Sequence, residues 1–363
     1  MKQRTGNEMV YPTKVVRSFR LLLAIVVFGV SVMTEAEQNS LMTQVTKPPI
    51  VIAHRGASGY LPEHTLLAVT AAHVMGADYI EQDIVLSADG VPVVLHDIYL
   101  DATTDVATQF PNRARPDGRY YAIDFTLSEL KSLTVTERRD RLGNAVFAGR
   151  FPLTDLSLRI PSLAEEIELI AGLNRSRGRT AGLYIELKAP VFHTKEGHDI
   201  AAALMTVLDD HGVNEADTPV ILQCFHDGTL RRLRSEFGVE LPLIQLLAEN
   251  SWGEDGDVDY NWLRTAEGLD AIAEYANGIG PWLPHLLEEA QLAPNALAQM
   301  AHDRGLLVHP YTLRADSIEL GEISFEHLQK LIFIEVGADG AFTDFPDLTR
   351  RFIDSHFQSN TPK

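Results

Sequence analysis

The feature that most constrains the fold is a rhythm along the chain. Eight short apolar runs recur, each followed by a longer amphipathic stretch. The runs are Ile50–His54, Tyr79–Val85, Gly182–Lys188, Val220–Phe225, Leu241–Leu247, Gly278–Pro281, Leu306–Tyr311 and Gly340–Asp344. Short apolar runs of this kind read as buried strands. Between and after them lie His64–Met75, Leu163–Ile170, His198–Asp210, Asp227–Phe237, Leu263–Tyr275, Pro294–Arg304, Phe325–Val336 and Leu348–Phe357. Their apolar residues fall at spacings of three and four, the helical period. Eight such βα units predict a (β/α)8 TIM barrel. A doubly wound open sheet is the second reading. Its first turn would want G-x-G-x-x-G, and His54-Arg55-Gly56-Ala57-Ser58-Gly59 supplies only Gly56 and Gly59.

One stretch breaks the rhythm after the second strand. Val91–Asp97 reads as extended and apolar, and its expected pairing is back across the Asp89-Gly90 turn. Residues 98–159 follow as an insertion rich in Asp, Arg, Pro, Thr and Tyr, with one helix candidate at Leu127–Leu133. Long segments in compact domains are usually functional or disordered. Arg119-Tyr120-Tyr121 and Phe147–Phe151 favour an ordered cap near the site mouth.

The N-terminus lies outside this pattern. Lys2, Arg4, Lys14, Arg17 and Arg20 precede an apolar run, Leu21–Met33, and then Thr34-Glu35-Ala36. Residues 1–36 therefore read as an export signal peptide, 37–48 as a short leader and 49–358 as the domain. The apolar run is shorter than the roughly 20 residues that span a bilayer. Left uncleaved, it would act as a membrane anchor.

The formal net charge of −19 excludes an ordinary nucleic-acid binder, which needs a basic face. Any phosphate site here needs local cations or a metal. The single cysteine, Cys224, allows no internal disulfide and no multi-cysteine zinc site. Its place in an apolar run gives it a packing role.

Three apolar runs carry ionisable residues where a core should be greasy: His54 and Arg55, then Glu81 and Asp83, then Glu186 and Lys188. An unpaired buried charge is costly, so three such runs point to one shared site. Residues two apart in a strand face the same side. Glu81, Asp83 and Glu186 would thus meet at the C-terminal mouth of a barrel. They would repel one another unless a cation sits between them, and hard oxygen donors suit Ca2+, with Mg2+ as the alternative. Simple pairing of each acid with Arg55 or Lys188 is the plainer reading. His54 and His96 both end extended runs. As a pair they suit acid–base work on a phosphate ester, with Arg55 and Lys188 holding the phosphoryl oxygens. His309, His64 at the start of the first helix, and His226-Asp227 at the start of the fourth read as capping, structural or substrate-contact residues. Phe225, Trp282 and Tyr311 lie at strand ends, suited to an apolar ligand edge or to ordinary packing.

Taken in order, His54-Arg55-Gly56, Pro62-Glu63-His64-Thr65, Glu81-Gln82-Asp83, Val94-Leu95-His96-Asp97 and Ile185-Glu186-Leu187-Lys188 strongly resemble the glycerophosphodiester phosphodiesterase family. Ile52–Asp105, Gly118–Phe125, Val308–Thr312 and Phe342–Pro346 are similar to its periplasmic bacterial branch. The resemblance runs from about Pro49 to Phe352. It implies a barrel with an insertion after the second strand, periplasmic location, and hydrolysis of small-molecule glycerophosphodiesters to an alcohol and sn-glycerol 3-phosphate. The family's metal positions match Glu81, Asp83 and Glu186, its acid–base histidines match His54 and His96, and its phosphate-binding cations match Arg55 and Lys188. Calcium is the metal expected in this branch. The family mechanism has a glycerol hydroxyl attack phosphorus, and water then opens the cyclic phosphate. Many relatives carry asparagine where His64 stands, so His64 receives no catalytic role. Many relatives carry a tryptophan near Pro310-Tyr311, so the resemblance implies that Tyr311 would stand in against the glycerol moiety; Phe225 is the other aromatic expected at the substrate.

Two other functions remain in view. A phospholipase D-like or phosphoinositide-cleaving enzyme on the same barrel would want an apolar membrane-docking rim, whereas residues 98–159 are polar and charged. A non-catalytic ligand-binding barrel would be expected to have lost a histidine or an acid, and none is missing. No stable membrane partner is expected after signal cleavage, and the sequence carries no signal for oligomeric state.

Overall fold

A computed structural model of the protein describes residues 47–357, apart from 153–155, 255, 289–291, 319 and 322. The signal and nearly all of the leader expected before residue 49 lie outside the described residues. Among those described, no helix is long and apolar enough to cross a membrane.

Eight parallel strands form the barrel: β1 Ile50–Ala53, β2 Tyr79–Leu86, β3 Gly182–Leu187, β4 Val220–Cys224, β5 Leu243–Leu247, β6 Gly278–Pro281, β7 Leu307–Val308 and β8 Gly340–Thr343. Their order round the sheet is β7-β6-β5-β4-β3-β2-β1-β8. The remaining seam is closed by backbone bonds, Asp339 N to Val308 O (3.0 Å), Phe342 N to Pro310 O (3.0 Å) and Leu313 N to Phe342 O (2.8 Å). β7 is shorter than the sequence predicts because Pro310 cannot donate to a ladder.

The period-two alternation sorts residues cleanly. Ile52, Tyr184, Ile221, Ile244 and Phe342 fill the barrel interior, with Tyr79 and Tyr311 packed on them. Val51, Ile80, Ile185, Leu222, Leu243 and Val308 share a core with helix residues such as Val69, Ile167, Leu204 and Leu230. Gly182 makes room inside for Tyr79, whose ring an added Cβ would overlap.

The outer helices are α1 Leu66–Met75, α2 Leu163–Arg177, α3 Ile200–Asp210, α4 Asp227–Ser235, α5 Ala266–Ala273, α6 Leu297–His302, α7 Phe325–Lys330 and α8 Pro346–Phe357. α2 runs well past the predicted Ile170. Its polar C-terminal half, which ends at the left-handed Gly178, carries no apolar stripe to reveal it. A capping box of Ser162 and Glu165 starts it. The stretch predicted as one helix over Leu263–Tyr275 is broken, because Thr265 accepts from Gly268 N and starts α5 afresh. α6 begins at Leu297 instead of Pro294, since Ala293–Pro294 pairs antiparallel with Leu287–Glu288. His226 caps α4 as expected by accepting from Thr229 N.

After β2 the chain turns back as Pro92–Val94, antiparallel to β2 with Ile84 opposite Val94. The following segment, residues 98–159, has a hydrophobic core of its own. Leu100, Val106, Phe125, Leu130, Leu133 and Val135 pack on Val85 and Val93. β2 thus carries two loads, the barrel on one side and the base of this second core at its end. Phe125 is 0% exposed. Phe125→Ala should lower the unfolding free energy by about 3–5 kcal/mol in urea titration. A loss under about 1 kcal/mol would show that this core is loosely packed.

Candidate active site

The C-terminal ends of the strands surround a cavity of about 280 Å³. All nine residues singled out from the sequence line it: His54, Arg55, Glu81, Asp83, His96, Glu186, Lys188, Phe225 and Tyr311. Trp282 joins them. Parallel register brings the acids together, since Asp83 on β2 stands beside Glu186 on β3.

The three acids are buried, at 2%, 1% and 6% exposure for Glu81, Asp83 and Glu186. Glu81 accepts the backbone N–H of Arg55 at 2.6 Å. That contact helps hold Arg55 at φ 57°, a left-handed conformation costly for a side chain of this size. Glu186 pairs with Lys188 at 2.7 Å. Burial, and then the charge of Asp83, push Glu81 well above the usual carboxylate range. Burial and Asp83 also push Glu186 up to about 8, against the pull of Lys188. Asp83 keeps its charge: against its burial, the charge of Lys188 and the hydrogen bond of His64 hold it well below the usual carboxylate range. Its Oδ1 is buried without a hydrogen-bond partner. A cluster of hard oxygen donors that resists full ionisation, with one orphaned carboxylate oxygen, fits a bound divalent cation.

The sequence reading of His64 needs correction. Thr65, not His64, caps α1 by accepting from Ala68 N. His64 sits at φ 58° and turns inward, with its Nε2 2.7 Å from Asp83 Oδ2. Ligand atoms of His64, Glu81 and Asp83 all lie within 4.8 Å of one another, a possible metal site. Glu186 adjoins this group through its register with Asp83.

Each histidine is anchored by an aspartate. His54 Nδ1 lies 2.6 Å from Asp344 Oδ1, and His96 Nδ1 lies 2.6 Å from Asp97 Oδ1. Against burial, His54, Arg314 and Arg150 hold Asp344 well below the usual carboxylate range. His96 and Arg138 do the same for Asp97. An ionised carboxylate only accepts, so each Nδ1 carries the proton and each Nε2 is left for other partners. Burial, then Arg55, push His54 down to about 4. Burial, then Arg55 and Lys188, push His96 down to about 3. Both imidazoles are thus neutral at neutral pH. Lys188 Nζ is 3.4 Å from His96 Nε2 and so links the histidine to the acid cluster. Burial would lower Lys188, but Glu186 and Asp83 raise its pKa and keep it charged.

Phe225 and Tyr311 meet edge to face at 6.0 Å. Tyr311 donates its hydroxyl to Leu247 O at 2.8 Å, so it offers the cavity its ring. Lys188 Nζ lies 5.5 Å from the centre of the Phe225 ring. His309 sits deeper, with its Nδ1 3.0 Å from the Tyr184 hydroxyl, a structural place. Cys224 is buried and donates to Leu187 O, as its packing role requires.

Sequence reasoning gave no role to Glu63, Asp97, Arg138, Arg150, Arg314 or Asp344. Glu63 holds Arg55, with Nη1 3.1 Å from each of its oxygens. Glu63 and Asp97 sit inside the motifs beside His64 and His96, where an acid next to a histidine was a usable signal, whereas Asp344 has no histidine beside it in the sequence. Arg138 and Arg150 lie in irregular chain that has no periodicity to place them.

Two cations, two neutral imidazoles and a site for a hard cation around one cavity suit phosphoryl chemistry on an ester. Comparison with known proteins agrees. Residues 54–348 match the Glycerophosphoryl diester phosphodiesterase family. A glycerophosphodiester phosphodiesterase of Haemophilus influenzae is 39% identical over 336 residues, covering 87% of this chain and 92% of its own. One from Treponema pallidum is 34% identical over 327 residues, covering 84% and 91%. Among solved structures, an Oleispira antarctica phosphodiesterase in complex with the product sn-glycerol-3-phosphate superposes with a TM-score of 0.58. It is 25% identical, over 85% of this chain and 97% of its own. With its eight-stranded parallel barrel and this match across most of its length, the chain belongs to the glycerophosphoryl diester phosphodiesterase family.

Proposed function

We propose that this protein hydrolyses glycerophosphodiesters to an alcohol and sn-glycerol 3-phosphate, using two histidines and a divalent cation. The observation that carries the reading is the continuous contact from the acid cluster through Lys188 to His96, with His54 lining the same cavity. The names of the relatives and the product bound in the Oleispira antarctica enzyme support the substrate class.

Arg55 and Lys188 bind the phosphoryl oxygens and compensate the charge that develops on them. Glu81, Asp83 and Glu186 would hold the cation, calcium or alternatively magnesium, with His64 fixing the orientation of Asp83. When bound, the cation neutralises these acids and withdraws electron density from a phosphoryl oxygen. Of the two histidines, one accepts the proton of a glycerol hydroxyl as its oxygen bonds to phosphorus. The other gives a proton to the departing alkoxide as the P–O bond to the head group breaks. The histidines then exchange roles: water loses a proton, attacks the cyclic phosphate, and the ring oxygen takes a proton to leave sn-glycerol 3-phosphate. A neutral imidazole is ready as the base. The negative phosphodiester favours the imidazolium that the acid must be. Phe225 and Tyr311 pack on the carbon edge of the glycerol.

The N-terminal pattern supports export to the periplasm, with residues 1–36 as signal, 37–48 as leader and 49–358 as the catalytic unit. Without cleavage the signal would anchor the protein to the membrane.

The purified protein should release glycerol 3-phosphate from glycerophosphocholine, read by a coupled dehydrogenase assay. His54→Ala and His96→Ala should each lower kcat by about 10²–10⁴-fold. No turnover of any glycerophosphodiester by the wild type would reject the substrate class. Calcium should also raise Tm of chelator-treated protein. At 100 times Kd, the gain corresponds to about 2.7 kcal/mol. Asp83→Asn should abolish that shift, and an equal shift in the variant would remove Asp83 from the cation site.

A further inference from the structure

The two histidines share more than an aspartate each. Asp344, which holds His54, receives Arg150 Nη2 on its other oxygen, Oδ2, at 2.6 Å. Asp97, which holds His96, receives Arg138 Nη1 on its Oδ2 at 2.7 Å. The order histidine, aspartate, arginine is the same in both. Both arginines come from residues 98–159, the segment inserted after β2. Neither is a loose surface contact. The side chain of Arg150 is 4% exposed and that of Arg138 18%.

Each arginine is itself fixed. Arg138 forks onto Glu63, with Nη2 2.7 Å from Oε1 and Nε 3.0 Å from Oε2. Glu63 in turn holds Arg55. One guanidinium from the insertion therefore reaches both His96 and the phosphate-binding Arg55, each through one carboxylate. Arg150 also donates to Ser58 O at 3.2 Å, ion-pairs with Asp316 at 2.8 Å, and lies 3.7 Å over the Phe147 ring. Arg314 shares Asp344 with it.

A carboxylate bound only by an imidazole can swing about its Cβ–Cγ bond and carry the ring with it. A second charge-assisted bond on the other oxygen fixes the carboxylate plane, and through it the direction of Nε2. We infer that Arg138 and Arg150 are positioning residues for His96 and His54, and that the insertion is thereby a working part of the catalytic apparatus. This rests on the two-histidine reading above. Arg150 acts on His54 through Asp344, so its loss should fall on kcat and spare KM, whereas loss of Arg138, which also reaches Arg55 through Glu63, should lower kcat and raise KM as well.

The test is steady-state kinetics on glycerophosphocholine with Arg138→Met and Arg150→Met, which keep the packing of the stem. Each should lower kcat by about 10–100-fold, with KM within about threefold of wild type for Arg150→Met and raised further for Arg138→Met, which also frees Glu63 and Arg55. In a double-mutant cycle, Arg138→Met should cost much less in an Asp97→Asn background, and Arg150→Met much less in Asp344→Asn. Simple loss of stability would give multiplicative effects instead. Arg138→Lys and Arg150→Lys serve where a methionine variant does not fold. An ammonium cannot bridge two carboxylates in a fixed fork, so kcat should still fall by about tenfold. Wild-type kcat in the folded methionine or lysine variants, or multiplicative cycles, would overturn the inference. Inactivity of the wild type on every glycerophosphodiester would instead reject the underlying function.

Discussion

Repulsion among three buried carboxylates is the constraint to which the rest of this site is fitted. Parallel pairing of β2 with β3 places Asp83 beside Glu186, and Glu81 faces the same cavity. Two unit charges about 4 Å apart repel by roughly 4 kcal/mol at an effective dielectric of 20. The structure distributes that strain. Glu81 and Glu186 are pushed toward the protonated form, Asp83 is held ionised by its cationic neighbours, and one of its oxygens has no partner. Lys188 and the Arg55 backbone offset part of the repulsion. A divalent cation would offset the rest.

Around that anionic floor, groups of opposite charge follow one another, with the neutral imidazole of His96 between Lys188 and Asp97. Lys188 stands between Glu186 and His96, Asp97 between His96 and Arg138, and Glu63 between Arg138 and Arg55. Each buried charge thus has a partner of opposite sign, which is the condition for tolerating so many in one place. The cost of breaking such a chain is the exposure of an unpaired buried charge, so its members are expected to be coupled energetically. The second hydrophobic core, built on Val85 and Val93, holds the segment that supplies Arg138.

The barrel was legible because its signal is local and repeated. Eight apolar runs and the alternation within β1, β2 and β3 are enough to place His54, Glu81, Asp83, Glu186 and Lys188 at one mouth. Helix boundaries were less legible where polar termini carry no stripe, as in the second half of α2, or where a single hydroxyl restarts a helix, as Thr265 does. The network beyond the first contacts was largely illegible. Arg138 meets Glu63 across 75 positions and Arg150 meets Asp344 across 194, from chain without regular periodicity. His64 was misread because a histidine beside a helix start resembles a cap, while its left-handed backbone turns it toward Asp83.

The most direct test is calorimetric titration of calcium into chelator-treated protein at neutral pH, in buffers of different ionisation enthalpy. Burial and Asp83 push Glu186 up to about 8 and push Glu81 up as well, and a bound cation favours the ionised form of both, so binding should displace protons. Calcium should bind with release of about one proton or more per ion, read from the slope of enthalpy against buffer ionisation enthalpy. Absence of binding, or binding with zero slope, would contradict it.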